Sequence, residues 1–204
     1  MPPDSGIRGD SRDRPFARPR GNCSAILDRG RPFCAGWRRS SLSSQSSMEI
    51  KRATASDSAR IAQLLIDVRK RFMPYAPSPH SDAQIQSWVA QFLVPSGGVV
   101  LALAGDAMLG ATATAQENNR SWITQMAVDP AHVGHGVGSS LLAYALDILP
   151  PPVFLYTFQA NTRARRFYER HGFRAKTFSD GLANDERCPD VLYEFVPSVP
   201  PAGG

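Results

Sequence analysis

Residues 128–142 read V-D-P-A-H-V-G-H-G-V-G-S-S-L-L. Three glycines alternate at Gly134, Gly136 and Gly138, after an apolar strand pattern and before a helical one. A glycine-rich turn that opens a helix is an anion cradle. Its backbone N–H groups point outward, and the helix dipole favours negative charge at that end. Glycine suits the turn because a Cβ would hold a phosphate away from the amides.

Spacing narrows the phosphate ligand. A P-loop needs Lys and Ser/Thr after its last glycine, and no lysine follows these glycines. The dinucleotide fingerprint G-x-G-x-x-G, begun at Gly134, needs glycine where Ser139 stands. It also needs an acid roughly 20 residues on, yet no Asp or Glu lies between Ile148 and Tyr168. The pattern V-x-P, then G-x-G-[IV]-G-[ST]-x-L-L, fits throughout. It resembles the pyrophosphate-binding signature of the GNAT superfamily, the acyl-CoA-dependent N-acyltransferases. A second segment, N-T-R-A-R-R-F-Y-E-R-H-G-F from Asn161 to Phe173, resembles that superfamily's N-x-x-A-x-x-F-Y-x-x-x-G-F motif. Ala164, Phe167, Tyr168 and His171 there share one helix face.

The resemblance implies an α+β GNAT fold. Its mixed, mainly antiparallel sheet splays at two central parallel strands, is flanked by helices, and takes acyl-CoA in the gap. It also implies roles for particular residues. The backbone of Met126, Ala127 and Val128 aligns the pantetheine arm and bonds the thioester carbonyl. The turn of Gly134, His135, Gly136, Val137, Gly138 and Ser139 holds the pyrophosphate, His135 through its amide rather than its ring. Asn161 bonds the pantetheine arm. Tyr168 is the general acid, since a phenol of pKa about 10 keeps its proton at neutral pH and can give it to a leaving thiolate. The expected function is transfer of an acetyl group from acetyl-CoA to a primary amine of a small molecule or protein. The amine attacks directly in a ternary complex, because no nucleophilic Cys or Ser pattern suggests an acyl-enzyme. The alternative is an acyl-CoA-binding sensor of the same fold without turnover.

Two departures from the superfamily pattern stand out. Val133 occupies a position where many members carry Gln or Arg, so the cradle rests on amides. The strands beside the gap offer Thr124, Gln125, Tyr156 and Thr157 but no carboxylate to act as base. Two other segments are candidates for the acceptor side, 73–80 (M-P-Y-A-P-S-P-H) and 184–190 (N-D-E-R-C-P-D). His80, Glu186 and Asp190 are the acceptor-contact candidates there. His171 reads as a helix-end residue and not a catalyst. Trp88 and Trp122 read as core.

The elements that must position these residues follow from periodicity. A strand covers 49–53. Thr54-x-x-Asp57 has the form of a capping box before a helix bearing Ile61, Leu64, Leu65 and Val68. Ser81 caps a second helix with Ile85, Trp88, Val89 and Phe92 on one stripe, ended by Pro95. Strands at 99–103 and 108–116 turn at Gly105-Asp106, and Asn118-Asn119 turns into a strand at 122–128. After the cradle, Val137, Leu141, Leu142, Ala145 and Ile148 mark a helix face. A strand at 153–158, the Asn161 helix, and strands at 173–178 and 191–196 complete the order.

Length and charge set the remaining bounds. The 204 residues suffice for one domain with a core. The net charge of +5 belongs to residues 1–47, where nine Arg face four Asp, and the rest of the chain is neutral. That Arg/Ser/Pro/Gly segment reads as a disordered leader or start-site extension before a domain at 48–196, with a Pro/Gly tail at 197–204. A neutral domain argues against nucleic acid as a partner. No apolar run is long enough to span a membrane, and three scattered cysteines suit a reducing cytoplasm. Four dispersed histidines make no metal site. The expected partners are acetyl-CoA and an amine in a bacterial cytoplasm, with a homodimer compatible with the resemblance.

Overall fold

The computed structural model describes residues 48–197. The expected leader at 1–47, Cys23, Cys34 and nearly all of the expected tail lie outside the described residues. The described chain opens with β1 (Glu49–Arg52) and a short 3-10 turn that runs into α1 (Ser58–Phe72). The Thr54–Asp57 capping box forms, with Thr54 N–H donating to Asp57 Oδ2 at 2.8 Å. Ser81 caps α2 (Asp82–Trp88) by accepting from Gln84 N–H, and Gln84 answers in a second capping box. The helix then passes into a π turn at Val89–Leu93, where Val94 N–H reaches back to the Val89 carbonyl. One extra residue in that turn rotates the stripe. Val89 and Leu93 are buried, while Phe92, expected on the buried face, is half exposed.

Strands β2 (Val99–Ala104), β3 (Ala107–Glu117) and β4 (Arg120–Val128) form an antiparallel meander, followed by α3 (Val137–Ile148), β5 (Val153–Phe158), α4 (Thr162–Arg170), β6 (Arg174–Phe178) and β7 (Asp190–Phe195). They make one seven-stranded sheet in the order β1-β2-β3-β4-β5-β7-β6. Every neighbouring pair is antiparallel except β4 and β5. A parallel pair needs a crossover, and α3 supplies it.

Period-two alternation divides the core between the two sheet faces. Val100, Ala102, Val128 and Leu155 pack with Leu141, Leu142, Phe167 and Tyr168 of α3 and α4. Val99, Leu101, Ala111 and Ala127 pack with Ile61, Leu64 and Val68 of α1 and with Val89 and Leu93. Each fully buried Leu or Ile contributes about 2 kcal/mol of apolar transfer, so both helical layers are firmly seated. Ile148, at the last turn of α3, is largely exposed instead of lying on its buried face. Edge strand β6 is exposed throughout and carries Arg174 and Lys176, charges that discourage further strand pairing. Among the described residues, no helix is long and apolar enough to cross a membrane.

Candidate active site

The site begins where the parallel strands part. β4 and β5 pair only at Ser121–Val153 and Trp122–Phe154. Beyond those pairs β4 is held by β3 and β5 by β7, so Ile123–Val128 and Leu155–Phe158 diverge and leave a cleft with main-chain groups along its walls. The β3–β4 register shifts between Ala113 and Thr114. The bulge at Thr124 breaks the alternation, which is why Ile123 and Met126, three residues apart, both reach the same core. The Gln125 carbonyl accepts a buried hydrogen bond from Thr112 Oγ1 at 2.9 Å, fixing the bulged segment.

The glycine turn lies at the end of β4. Asp129 starts it, its Oδ1 accepting from Ala131 N–H at 2.7 Å. Gly134 and Gly136 take left-handed φ values of +88° and +82°, and a Cβ at either would meet no atom within 4 Å. The need for glycine is therefore conformational, and the space above the turn is open. The first bond of the α3 ladder runs from Ser140 N–H to the Gly136 carbonyl. The N–H groups of Val137, Gly138 and Ser139 lie ahead of it at the positive end of the helix. His135 is exposed, Val133 and Ser139 are half-buried, and Val137 and Gly138 are buried.

Two contacts seat this turn. On β3, a Cβ at Gly110 would lie 2.8 Å from the Ala127 carbonyl oxygen and 3.1 Å from side-chain atoms of Val137 and Leu141. Only glycine lets the start of α3 lie this close to the sheet. From α4, His171 Nε2 is 3.1 Å from Ser139 Oγ, and its Nδ1 is 2.7 Å from the Phe167 carbonyl. A carbonyl only accepts, so Nδ1 carries the hydrogen, and a neutral ring leaves Nε2 to accept from Ser139. The helix-end residue of the sequence reading thus ties the cradle to α4.

Asn161 is the N-cap of α4, its Oδ1 accepting from Ala164 N–H at 3.1 Å. Tyr168 is fully buried, with its ring edge-on to Phe167 and Phe173 and tilted against Tyr193. It shares a core cluster with Met126 and Val128 of one parting strand and Leu155 of the other. Thr157, on the same face of β5 as Leu155, is also fully buried. Among the described residues nothing hydrogen-bonds its hydroxyl. Arg165 donates to the Tyr193 hydroxyl and the Gln159 carbonyl.

On the opposite face, a cavity of about 80 Å³ opens against Gln125, Met126 and Ala127. Its other walls come from α1 (Leu65, Val68, Arg69), from Met73, Ser78, Pro79 and His80, from Ile85 and Trp88 of α2, and from Asp185 and Glu186. Both suspected acceptor segments therefore reach one cavity. Arg69 joins them: Nη2 donates to the Pro77 carbonyl at 2.7 Å and Nη1 to Glu186 Oε1 at 3.1 Å. Its Nε is buried and bonds nothing among the described residues. Burial pushes the Glu186 carboxyl above the ordinary glutamate range, with the Arg69 guanidinium pulling the other way.

Asp190 is not in this cavity wall. It starts β7, and its carboxylate accepts from Ser179 Oγ at 2.6 Å and Asn184 Nδ2 at 2.9 Å. Asn184 in turn bonds the Cys188 backbone. Through these bonds Asp190 ties the loop that presents Glu186.

The sequence profile described as "Acetyltransferase (GNAT) family" matches residues 65–173, more than half of the chain, and spans the cleft, the cradle and α4. The chain belongs to the GNAT acetyltransferase family. Solved structures support the same fold. A GNAT-family acetyltransferase from Bacillus cereus ATCC 10987 is similar at 19% identity over 72% of this chain and 96% of that one, with a TM-score of 0.58. The PaiA N-acetyltransferase from Thermoplasma acidophilum, in complex with coenzyme A, is similar at 18% identity over 73% and 98%, with a TM-score of 0.58. Arabidopsis thaliana Naa50, in complex with the bisubstrate analogue CoA-Ac-MVNAL, is similar at 20% identity over 74% and 99%, with a TM-score of 0.57. No curated protein matches the sequence significantly.

Within this GNAT domain, three features escaped the sequence reading: Arg69, Gly110, and the His171–Ser139 link. Arg69 sits on a helix with other basic residues, and nothing in the sequence separates it from them. Gly110 carried a signal, a glycine inside a strand pattern. Among the described residues, no group of three or more His, Cys, Asp or Glu side chains is placed to hold a metal ion.

Proposed function

We propose that the protein is an acetyl-CoA-dependent N-acetyltransferase that acetylates a primary amine by direct attack in a ternary complex. The observation that carries this reading is the placement of the glycine turn, with its left-handed Gly134 and Gly136, at the end of β4 where β4 and β5 part. The cleft fits the donor: helix-end amides for the pyrophosphate, open strand walls for the pantetheine arm. The backbone of Met126, Ala127 and Val128 aligns the arm, and Asn161 and the buried Thr157 hydroxyl border it. Acetyl-CoA supplies the activated acyl group. The amides along β4 stabilise the oxyanion, and Tyr168 gives its phenolic proton to the thiolate.

The acceptor side supports turnover over a sensing role. A half-open cavity with His80 and Glu186 in its wall lies against the same β4 residues that border the donor cleft. We place the enzyme in the cytoplasm. Two measurements test the reading: calorimetric binding of acetyl-CoA, and thiol release over a panel of amines. Binding with amine-dependent release is expected. Binding without release on any amine would establish the sensor instead, and no binding would remove both.

A further inference from the structure

Resting on the acetyltransferase reading, we infer that the acceptor is a small primary amine with a slender apolar stem, one positive charge and no neighbouring carboxylate, and that Glu186 receives its ammonium and takes its proton. Three observations carry this.

The first is size. A cavity of about 150 Å³ lined by apolar side chains holds a benzene ring. The space here is about 80 Å³ and open on one side, so it takes a narrow alkyl stem beside the amine rather than a ring. Leu65, Val68, Met73, Ile85 and Trp88 give it an apolar wall, which suits an alkyl stem and disfavours a polyamine whose second charge would be stranded there.

The second is charge. Arg69 is the cation of the wall, and both of its terminal nitrogens are engaged, one by Glu186 and one by the Pro77 carbonyl. Asp185 and Glu186 add two carboxylates. The wall therefore carries a net negative charge. It attracts a monocation and repels an acceptor carboxylate.

The third is the position of Glu186. Its residue is over nine-tenths buried, and Arg69 occupies Oε1. It shares the cavity wall with Gln125, Met126 and Ala127. The strands beside the cleft hold no acid, and Glu186 brings one to β4 from the β6–β7 loop. The protons balance as follows. The nitrogen loses two in the reaction. Glu186 takes one from the ammonium and passes it to water, and the freed lone pair forms the N–C bond as the C–S bond breaks. The second replaces the proton that Tyr168 gives to the thiolate.

Matched amines test the acceptor class. 3-Methylbutylamine and leucine differ by one carboxylate, and butylamine and putrescine differ by one ammonium. Thiol release should show kcat/KM at least about tenfold higher for the first member of each pair. Preference for leucine, in which a carboxylate reaches the buried Arg69 Nε, would overturn the inference, as would preference for putrescine or for a peptide with a free N-terminus. The variant E186Q keeps an oxygen for Arg69 and loses the charge. It should lower kcat/KM for 3-methylbutylamine about 100-fold with acetyl-CoA affinity unchanged and no fall in melting temperature, and E186D should recover part of the loss. Full activity in E186Q would refute the role of Glu186. Equal losses in E186Q and E186D, with a lowered melting temperature, would show that it only ties the loop. Calorimetric acetyl-CoA binding by the wild-type protein separates failure of this inference from failure of the acetyltransferase reading.

Discussion

Arg69 of α1 and Glu186 of the β6–β7 loop meet at 3.1 Å across 117 residues of sequence. Through the same guanidinium, the loop after α1 is held by its Pro77 carbonyl. One side chain thus assembles the acceptor wall from two segments, and its partner carboxylate has a raised pKa because it is buried.

That burial predicts a pH-dependent stability difference. The folded-state pKa of Glu186 is raised above its ordinary 4.5, with Arg69, Asp185 and His80 as the charged or titratable groups lining the same cavity. A raised carboxyl binds its proton more tightly in the folded protein. Its stabilising contribution is full below pH 4.5 and is lost as pH rises through the raised value. The glutamine of E186Q does not titrate. Urea denaturation should therefore show the stability of E186Q, relative to wild type, improving between pH 4.5 and pH 7. A difference that is flat or opposite in sign would mean that the pair with Arg69 outweighs desolvation.

Tyr168→Phe should leave acetyl-CoA affinity within about twofold and reduce turnover about 100-fold, the size of a lost general acid. Single-turnover kinetics distinguish the chemical step from binding. Unchanged turnover would reduce Tyr168 to a packing residue among Phe167, Phe173 and Tyr193.

Two glycine substitutions separate the turn from its seat. Gly136→Val forces a β-branched residue to φ +82° and places methyl groups in the open space above the amides. It should abolish acetyl-CoA binding in calorimetry and cost about 1–3 kcal/mol of stability. Gly110→Ala touches no ligand, yet its Cβ crowds the Ala127 carbonyl and the start of α3. It should cost about 1–3 kcal/mol by overpacking and weaken acetyl-CoA binding through a displaced cradle. Normal affinity in G110A would show that the cradle tolerates the shift.

Thr157→Val tests the buried hydroxyl. Removing a group that bonds nothing among the described residues should leave stability unchanged or raise it by about 1 kcal/mol. If the hydroxyl meets the pantetheine arm, acetyl-CoA affinity falls about tenfold while denaturation midpoints hold or rise. Affinity unchanged would show that it does not touch the donor.

Much of the fold was legible because its signals are local. Thr54 with Asp57, and Ser81 with Gln84, announce helix starts through their own backbone bonds. The continuous apolar run at 99–103 reports a strand buried on both faces. The π turn at Val89–Leu93 was not legible. A stripe of Ile85, Trp88, Val89 and Phe92 fits an unbroken α-helix equally well, and packing against the sheet selected the wider turn that leaves Phe92 outside.

The proposed donor half was the more legible one. Left-handed backbone favours glycine whatever surrounds it, so Gly134 and Gly136 before a helical pattern announce the turn by local stereochemistry alone. The acceptor half was decided by tertiary structure. His80 and Glu186 lie on irregular loops with no periodicity to tell an inward carboxylate from a solvated one. Asp190, two residues from Cys188 and on the same loop's rim, is consumed by Ser179 and Asn184, while Glu186 is turned into the cavity by Arg69. Spacing cannot distinguish those two acids. Their hydrogen-bond partners come from distant or folded-back segments, and only the packed chain brings them within reach.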